Sequence, residues 1–354
     1  MAVGVPFERV ADTSLDASVG LTLAVPVGNR ALVDAGGQLD LYYYDQLSEL
    51  RNVFDSSDVG VVAGGKNLLF RFDGSYRSDR VRPTPEFEIL ANQTVTALAG
   101  LTTVRFGGRH QLTLSFDERR IRIQDLLTSE GELPAGNNLD RRETGYRLHL
   151  ERRLTRRATA VVEGDYESID FDVRPDDTNA YGAAAGVTFS PRGNVRGDAI
   201  AGFKRIQSEL GADADFNGLV SRLGLTARLN QRIGWGTEFL RDAFPSLLGN
   251  DRFFVANRVA ASVFVYFERR FYVNPIIAFG RNTWRRPTSY VDHEEREVRA
   301  PLVDRFSELS VVVARELSAS MTLKLTAAYW NRDSDARIFS SDLFFVKVSM
   351  ESTF

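Results

Sequence analysis

Ser341–Phe354 reads SDLFFVKVSMESTF. Phe344, Val346, Val348, Met350, Ser352 and Phe354 fall on one parity, and Phe345, Lys347, Ser349, Glu351 and Thr353 on the other. A side-chain period of two is that of a β-strand, here with one apolar face and one mostly polar face. An aromatic ring at the tip of an apolar strand face, such as Phe354, suits a membrane–water boundary. A soluble edge strand alternates in the same way, so the choice falls to the rest of the chain.

Working outward, the alternation recurs from end to end. Leu15 to Val27 alternates, turns at Gly28-Asn29-Arg30, and is followed by Gly37 to Asp45. Leu68, Phe70, Phe72, Gly74 and Tyr76 oppose Arg71, Asp73, Ser75 and Arg77. Short turns are expected at Gly107-Gly108, Thr155–Arg157, Ser190–Asn194, Asn230–Arg232, Glu268–Arg270 and Ser318–Ser320. Between them lie longer charged stretches: Asp79–Glu86, Asp125–Arg142, Asp170–Asn179, Gln207–Asp215, Asp242–Arg252, Arg285–Asp304 and Asp333–Ser340. Short turns on one side and long loops on the other are the pattern of a transmembrane barrel, whose strands run roughly 9–11 residues or more. A propeller blade needs four short strands in each unit of this length, and here there are two long ones.

The two parities separate charge from oil. The polar parity carries Arg71, Arg77, Arg147, His149, Glu151, Glu163, Asp165, Arg196, Asp198, Arg222, Arg228, Glu238, Asn274, Lys324 and Lys347. These are the candidate lumen-facing residues. Arg or Lys facing lipid at mid-bilayer costs about 2–4 kcal/mol, which gives the segregation a physical cause. Aromatics gather near both strand ends, as girdles do: Phe189, Trp235, Phe267, Phe271 and Phe354 by the turns, and Tyr43, Tyr166, Tyr181, Phe239, Phe253 and Phe344 by the loops. Pro275 falls inside a strand, where it removes a ladder hydrogen bond, so a bulge or local opening is expected there. The expected fold is all-β: a transmembrane antiparallel up-and-down β-barrel of about 16–18 strands. Seventeen are legible in the 354 residues, and the even count of bacterial barrels favours eighteen with an upstream strand missing. Residues 1–14 are expected to be irregular and 15–354 a single barrel domain. MAVGVPFERVADTS lacks the charged and apolar regions of a signal peptide, so an exported barrel implies that Met1 is not the natural start.

Bulk composition agrees with a barrel. Hydrophobic content of 43% and a mean hydropathy of -0.21 are those of alternating strands, and no apolar run reaches the ~18 residues of a spanning helix. With no cysteine there is no disulfide framework, thiolate metal site or thiol nucleophile. A net charge of -3 gives no nucleic-acid signature. Of the 44 basic residues only Lys66, Lys204, Lys324 and Lys347 are lysines.

Motifs for chemistry are sparse. His110, His149 and His293 are the three histidines; no Ser nucleophile stands at triad spacing from them and no G-x-S-x-G is present, so no enzyme and no cofactor are expected. Asp213-x-Asp215-x-Asn217-Gly218 matches the first half of a calcium loop, but Gly224 stands where the bidentate Glu belongs, which makes it a weak metal candidate. Charged lumen rings set what a pore passes. Mixed signs on one strand, as in Arg147 with Glu151 and Arg196 with Asp198, also suit mutual bracing, and both readings stay open.

The C-terminal strand resembles the terminal strand of bacterial outer-membrane barrels, in which a closing Phe, here Phe354, is an insertion signal; Ser352 departs from the usual apolar residue. Leu139–Asp172 (LDRRETGYRLHLERRLTRRATAVVEGDYESIDFD), Gly186–Ile206 (GVTFSPRGNVRGDAIAGFKRI) and Ala214–Leu229 (ADFNGLVSRLGLTARL) resemble the beta-barrel porin 2 group. That resemblance implies an outer-membrane channel with no catalytic residues. It also implies the barrel-assembly machinery, the bilayer and lipopolysaccharide as partners, with a periplasmic export component if surface polysaccharide is the cargo. The expected function is an aqueous conduit in the cell outer membrane. For polymer export, Tyr42, Tyr44, Asn274, Asn282 and Trp330 would be contacts; for small-solute diffusion, Asp125–Arg142 or Arg285–Asp304 would fold inward as a constriction. The alternative is a non-conducting surface-binding or structural barrel.

Overall fold

The structure is a computed structural model that describes residues 14–45, 51–81, 91–126, 139–173, 177–189, 194–208, 215–246, 253–267, 270–318, 321–336 and 340–352. Among these residues there are seventeen strands and no helix. In chain order they are β1 (Ser14–Val27), β2 (Ala31–Tyr44), β3 (Asn52–Gly64), β4 (Leu68–Val81), β5 (Ala91–Phe106), β6 (His110–Leu126), β7 (Arg141–Arg153), β8 (Ala158–Phe171) and β9 (Thr178–Phe189). They continue with β10 (Val195–Ser208), β11 (Phe216–Arg228), β12 (Ile233–Pro245), β13 (Phe253–Phe267), β14 (Phe271–Val291), β15 (Glu297–Ser318), β16 (Met321–Ser334) and β17 (Ser341–Ser352). All belong to one sheet, and consecutive strands pair antiparallel from β1 through β6 and from β10 through β17. The up-and-down order follows from the short turns, which leave each strand no neighbour but the next.

Contacts divide the chain into two compact units. The first holds Met1–Leu150, Glu163–Tyr181 and Gln207–Asp213; the second holds Glu151–Val162, Gly182–Ile206 and Ala214–Phe354.

In the first unit the ladders keep parity. Leu39 lies opposite Val19, Val33 opposite Val25, Val61 opposite Val33 and Phe72 opposite Val61, so one face collects the large apolar side chains. That face is bare: Val19 is 69% exposed and Leu21 78%. In water such a surface is a liability, and in lipid it is the requirement. The other face of this unit carries Asp34, Asp58, Asp73 and Arg71, with Phe54, Ile121 and Ile123 buried among the polar groups.

The second unit repeats the division. Trp235 faces Val263, Phe239 faces Val259 and Val259 faces Phe279, while Leu325 faces Val348 on the last pair. Phe267 and Phe271 meet at 5.7 Å beside their turn, as do Tyr266 and Tyr272 on the opposite parity, also at 5.7 Å. Phe253 does not join the loop-side girdle; it is 2% exposed and packs on Phe216 at 5.2 Å. Gly28, at φ 64, makes the turn after β1 where a side chain would be strained.

Of two irregularities on β14, the local opening at Pro275 is as expected and the extended hairpin beyond it is not. Pro275 pairs in unbroken register with Val311 on β15, and on the β13 side the ladder skips from Ser262–Ile276 to Val265–Val273 without a slip. The proline opens one ladder and bulges neither, because its missing N–H faces β13. The register shift lies further on, between Thr283 and Pro287. Beyond it, Arg285–Asp304 is no loop: β14 and β15 continue as a hairpin, with Pro287 opposite Pro301 and Val291 opposite Glu297. Its polar composition hid Thr288, Tyr290, Val291 and Val298, which are strand formers.

Candidate functional site

On a strand, residues i and i+2 share a face, so the D-x-G and R-x-D spacings place partners side by side. In the first unit Asp34 (β2), Asp58 (β3) and Asp73 (β4) converge where Gly36 and Gly60 leave room. A Cβ on Gly60 would lie 2.7 Å from Asp34 Oδ2 and 2.8 Å from Asp73 Oδ1, and one on Gly36 would lie 2.6 Å from Asp58 Oδ1. The Arg71 guanidinium donates to Asp73 at 2.8 and 2.9 Å and supplies the counter-charge. Arg77 pairs with the buried Asp79 at 2.7 Å, and Arg141 pairs with Glu143 at 2.7 Å while donating to Leu139 O at 3.3 Å. His149 Nδ1 lies 3.1 Å from Glu163 Oε1 on the next strand. Asp165 follows Glu163 on the same face.

The second unit pairs across strands. Arg222 Nε donates to Asp198 Oδ2 at 3.1 Å, so Arg196 of its own strand is not the partner of Asp198. Arg196 lies opposite Thr226, Arg228 opposite Gly234, and Glu238 opposite Gly224 and Ala260. Lys204 Nζ reaches Asp242 at 3.3 Å and Ala243 O at 2.9 Å, and stands 5.6 Å from the Phe244 ring centre. Lys324 and Lys347 are diagonal neighbours: Lys324 faces Ser349, and Lys347 faces Thr326. Asn274 is opposite Val312, and its Oδ1 is buried without a hydrogen bond.

The same polar face of the second unit holds a packed cap at its loop end. Phe254, Ala256, Trp284, Leu302 and Ala336 form an apolar cluster, with Phe244 and Tyr290 against it. Tyr290 belongs to the β14–β15 hairpin, which therefore packs against this cluster. Beside the cluster Asp304, fully buried, accepts from Arg332 and from Ser334 Oγ; Arg332 is 3% exposed. Trp284 Nε1 donates to Ser246 Oγ at 3.3 Å. The hairpin tip is held down by His293, whose Nε2 is 2.8 Å from Ser334 O and 3.4 Å from Ser340 Oγ. Asp292 shapes the tip: its Oδ1 accepts from the backbone of Glu294 (2.8 Å) and Arg296 (3.0 Å), and its Oδ2 from the Arg296 guanidinium (2.9 Å). The backbone bond from Arg296, with that guanidinium, holds the Asp292 carboxyl below the usual carboxylate range, while burial and contact with Asp335 and Asp292 push Tyr290 up.

Register puts the expected lumen residues of β4, β10 to β12, β14, β16 and β17 on the polar face, and the structure pairs Arg71, Arg77, His149 with Glu163, and Asp198 with Arg222. Two expected polymer contacts are placed differently: Asn282 is 3% exposed, between Ala256 and Asp304 on the neighbouring strands, and the Tyr44 side chain lies outside the described residues. Phe354 and Asp213 also lie outside them. Asp215 is turned to Arg205 at 3.6 Å, and Asn217 lies opposite Arg205 in the ladder; no group of three metal-ligating side chains occurs among the described residues. The reading missed Asp304–Arg332–Ser334 and the three aspartates. The signal for the latter was present in Asp34-x-Gly36 and Asp58-x-Gly60, carboxylate and glycine on one parity.

No family model matches the chain, and no curated protein is similar to it. Solved structures are similar in fold. The FrpB iron transporter from Neisseria meningitidis superposes with a TM-score of 0.58 at 9% identity, over 92% of this chain and 61% of that one. The alcaligin outer membrane receptor FauA from Bordetella pertussis gives 0.54 at 11%, over 96% and 64%. The copper transporter OprC gives 0.57 at 11%, over 97% and 64%. This chain thus spans about three fifths of the length of these structures. At such identities the likeness is one of fold, and the fold is the antiparallel up-and-down β-barrel of the outer membrane.

Proposed function

We propose that the chain forms an outer-membrane conduit for small polar solutes, narrowed at its external mouth by the β14–β15 hairpin. The observation that carries this reading is the hairpin itself, packed through Tyr290 and His293 onto the charged face of a sheet whose other face is apolar and bare. In an outer-membrane barrel the bare face meets lipid and the charged face lines the lumen. Paired charges of both signs brace that wall and leave a mixed field for solutes to cross. The names of the similar structures, an iron transporter, an alcaligin receptor and a copper transporter, support transport of small solutes. Export of surface polysaccharide, implied by the resemblance to the beta-barrel porin 2 group, is disfavoured by the burial of Asn282, one of the side chains expected to touch the polymer.

A second reading rests on the same cap. A hairpin locked over the polar face suits a closed, partner-gated or surface-binding barrel. Single-channel recording of the refolded protein in a planar bilayer decides between them. Stable open steps with a reversal potential set by the wall charges support the conduit. Silence from a protein that migrates as a folded barrel overturns it and leaves the gated reading.

A further inference from the structure

On the polar face of the second unit Ala256, Asn282 and Asp304 form a buried row across β13, β14 and β15. The next row towards the turns runs Leu240 (β12), Arg258 (β13), Gly280 (β14) and Phe306 (β15). Gly280 has no side chain, and the Phe306 ring fills the space, where a Cβ would collide with its Cζ. The ring thus reaches across β14 towards β13. The Arg258 guanidinium lies over it, 5.0 Å from the ring centre, within the range of a cation–π contact.

Nothing in the chain neutralises this arginine. Arg258 is exposed and, among the described residues, has no hydrogen bond or ion pair. Its partners in the ladders are Leu240 and Gly280, and its neighbours along the strand on the same face are Ala256 and Ala260. Two carboxylates stand diagonal to it on β12. Asp242 is taken by Lys204 at 3.3 Å. Glu238 makes no ion pair with Arg258, although diagonal side chains of this length can meet. Phe306 explains the separation, because it holds the guanidinium on the far side, over Gly280. One row further on, Ala260 faces Ala278, so the floor beside the guanidinium is small and apolar, with Leu240 at its edge. The stacked face of the guanidinium is covered and its N–H edge is left free.

We propose that Arg258, on its Phe306 platform, is a binding site for small organic monocarboxylates. The carboxylate takes the free guanidinium edge two oxygens at a time, and the hydrocarbon body lies on Ala260, Ala278 and Leu240. A hydrated inorganic anion gains the charge and nothing from the floor. The platform is what a bare arginine on the wall lacks: the fork is held in one place, so less freedom is lost when the anion arrives. This inference names a solute class for the conduit and rests on the reading of the charged face as its lumen.

The test is titration calorimetry of benzoate into the full chain refolded in detergent. Benzyl alcohol serves as its uncharged counterpart and inorganic phosphate as an anion without an apolar body. Both should bind roughly tenfold or more weakly than benzoate. Arg258→Gln should weaken benzoate roughly tenfold, the loss of a charged hydrogen-bonding partner. Gly280→Ala keeps the charge and displaces the ring, and should weaken benzoate roughly threefold. Heat-modifiable gel migration confirms that each variant is folded; if Gly280→Ala does not fold, Phe306→Leu is read in its place with the same expected loss. Unchanged affinity in Arg258→Gln, or equal binding of benzyl alcohol or of phosphate, overturns the site. Unchanged affinity in the ring variant overturns the platform. Binding is read without current, so the two readings fail separately. A silent channel with benzoate binding that depends on Arg258 removes the conduit and keeps the site, and an open channel that ignores benzoate removes the site and keeps the conduit.

Discussion

Asp304 and Arg332 concentrate the largest single-residue stakes. Both are removed from solvent, and each is the other's charge partner. Removing one leaves the other buried and uncompensated, which costs about 3–5 kcal/mol, whereas replacing both by apolar groups of similar volume is close to neutral. Asp304→Ala should therefore lower the unfolding free energy in lipid vesicles by about 3–5 kcal/mol, read from urea titration through the tryptophans. Asp304→Leu/Arg332→Met should recover most of it. Recovery no better than the single change would mean that the pair is not what the cap depends on. Neither residue was legible beforehand. Asp304 stood at the edge of a stretch that read as loop, and an ion pair between strands is invisible until register is known.

At the scale of elements, the β14–β15 hairpin is held at its tip by His293 and Asp292. His293→Ala removes one hydrogen bond to Ser334 O, worth about 1 kcal/mol. Exchange of the Tyr290 and Val298 amides should then speed up by about fivefold. Asp292 acts through protonation. Because the folded tip depresses its pKa, it adds stability that is full above the ordinary carboxylate value of about 3.9. That stability is lost as pH falls through the lower folded value. Tip amides of Glu294 and Arg296 should accordingly lose protection below about pH 4, and Asp292→Asn should flatten that dependence. Loss of protection at the same pH in Asp292→Asn would assign the effect elsewhere. The sequence concealed this element because a hairpin with Pro287, Pro301 and eight charged residues between 285 and 299 mimics a loop in composition. Only its β-branched and aromatic residues gave it away.

For the molecule as a whole, the division of faces was legible and the details on each face were not. Period-two alternation is a backbone property and survives any sequence that keeps it, so the expected features from the turn at Gly28 to the parity of Lys347 needed no tertiary information. Pairing across strands did need it, and the Arg222–Asp198 pair was not legible beforehand. The faces make a direct prediction. Val263→Arg, on the bare apolar parity, should cost about 2–4 kcal/mol and lower the folded yield in vesicles. Ala260→Arg, opposite Glu238, should fold as well as the parent. Equal losses from both would remove the membrane assignment of the apolar face.

The ladders from β1 to β6 and from β10 to β17 join each strand to its neighbours in sequence. Such a sheet grows by accretion. A duplicated or deleted hairpin in the gene adds or subtracts two staves while the surviving pairs keep their bonds, so the size of the structure is an easily edited trait. Proteins of one architecture can then differ widely in length, and ancestry in this kind of fold is better counted in hairpins than in residues.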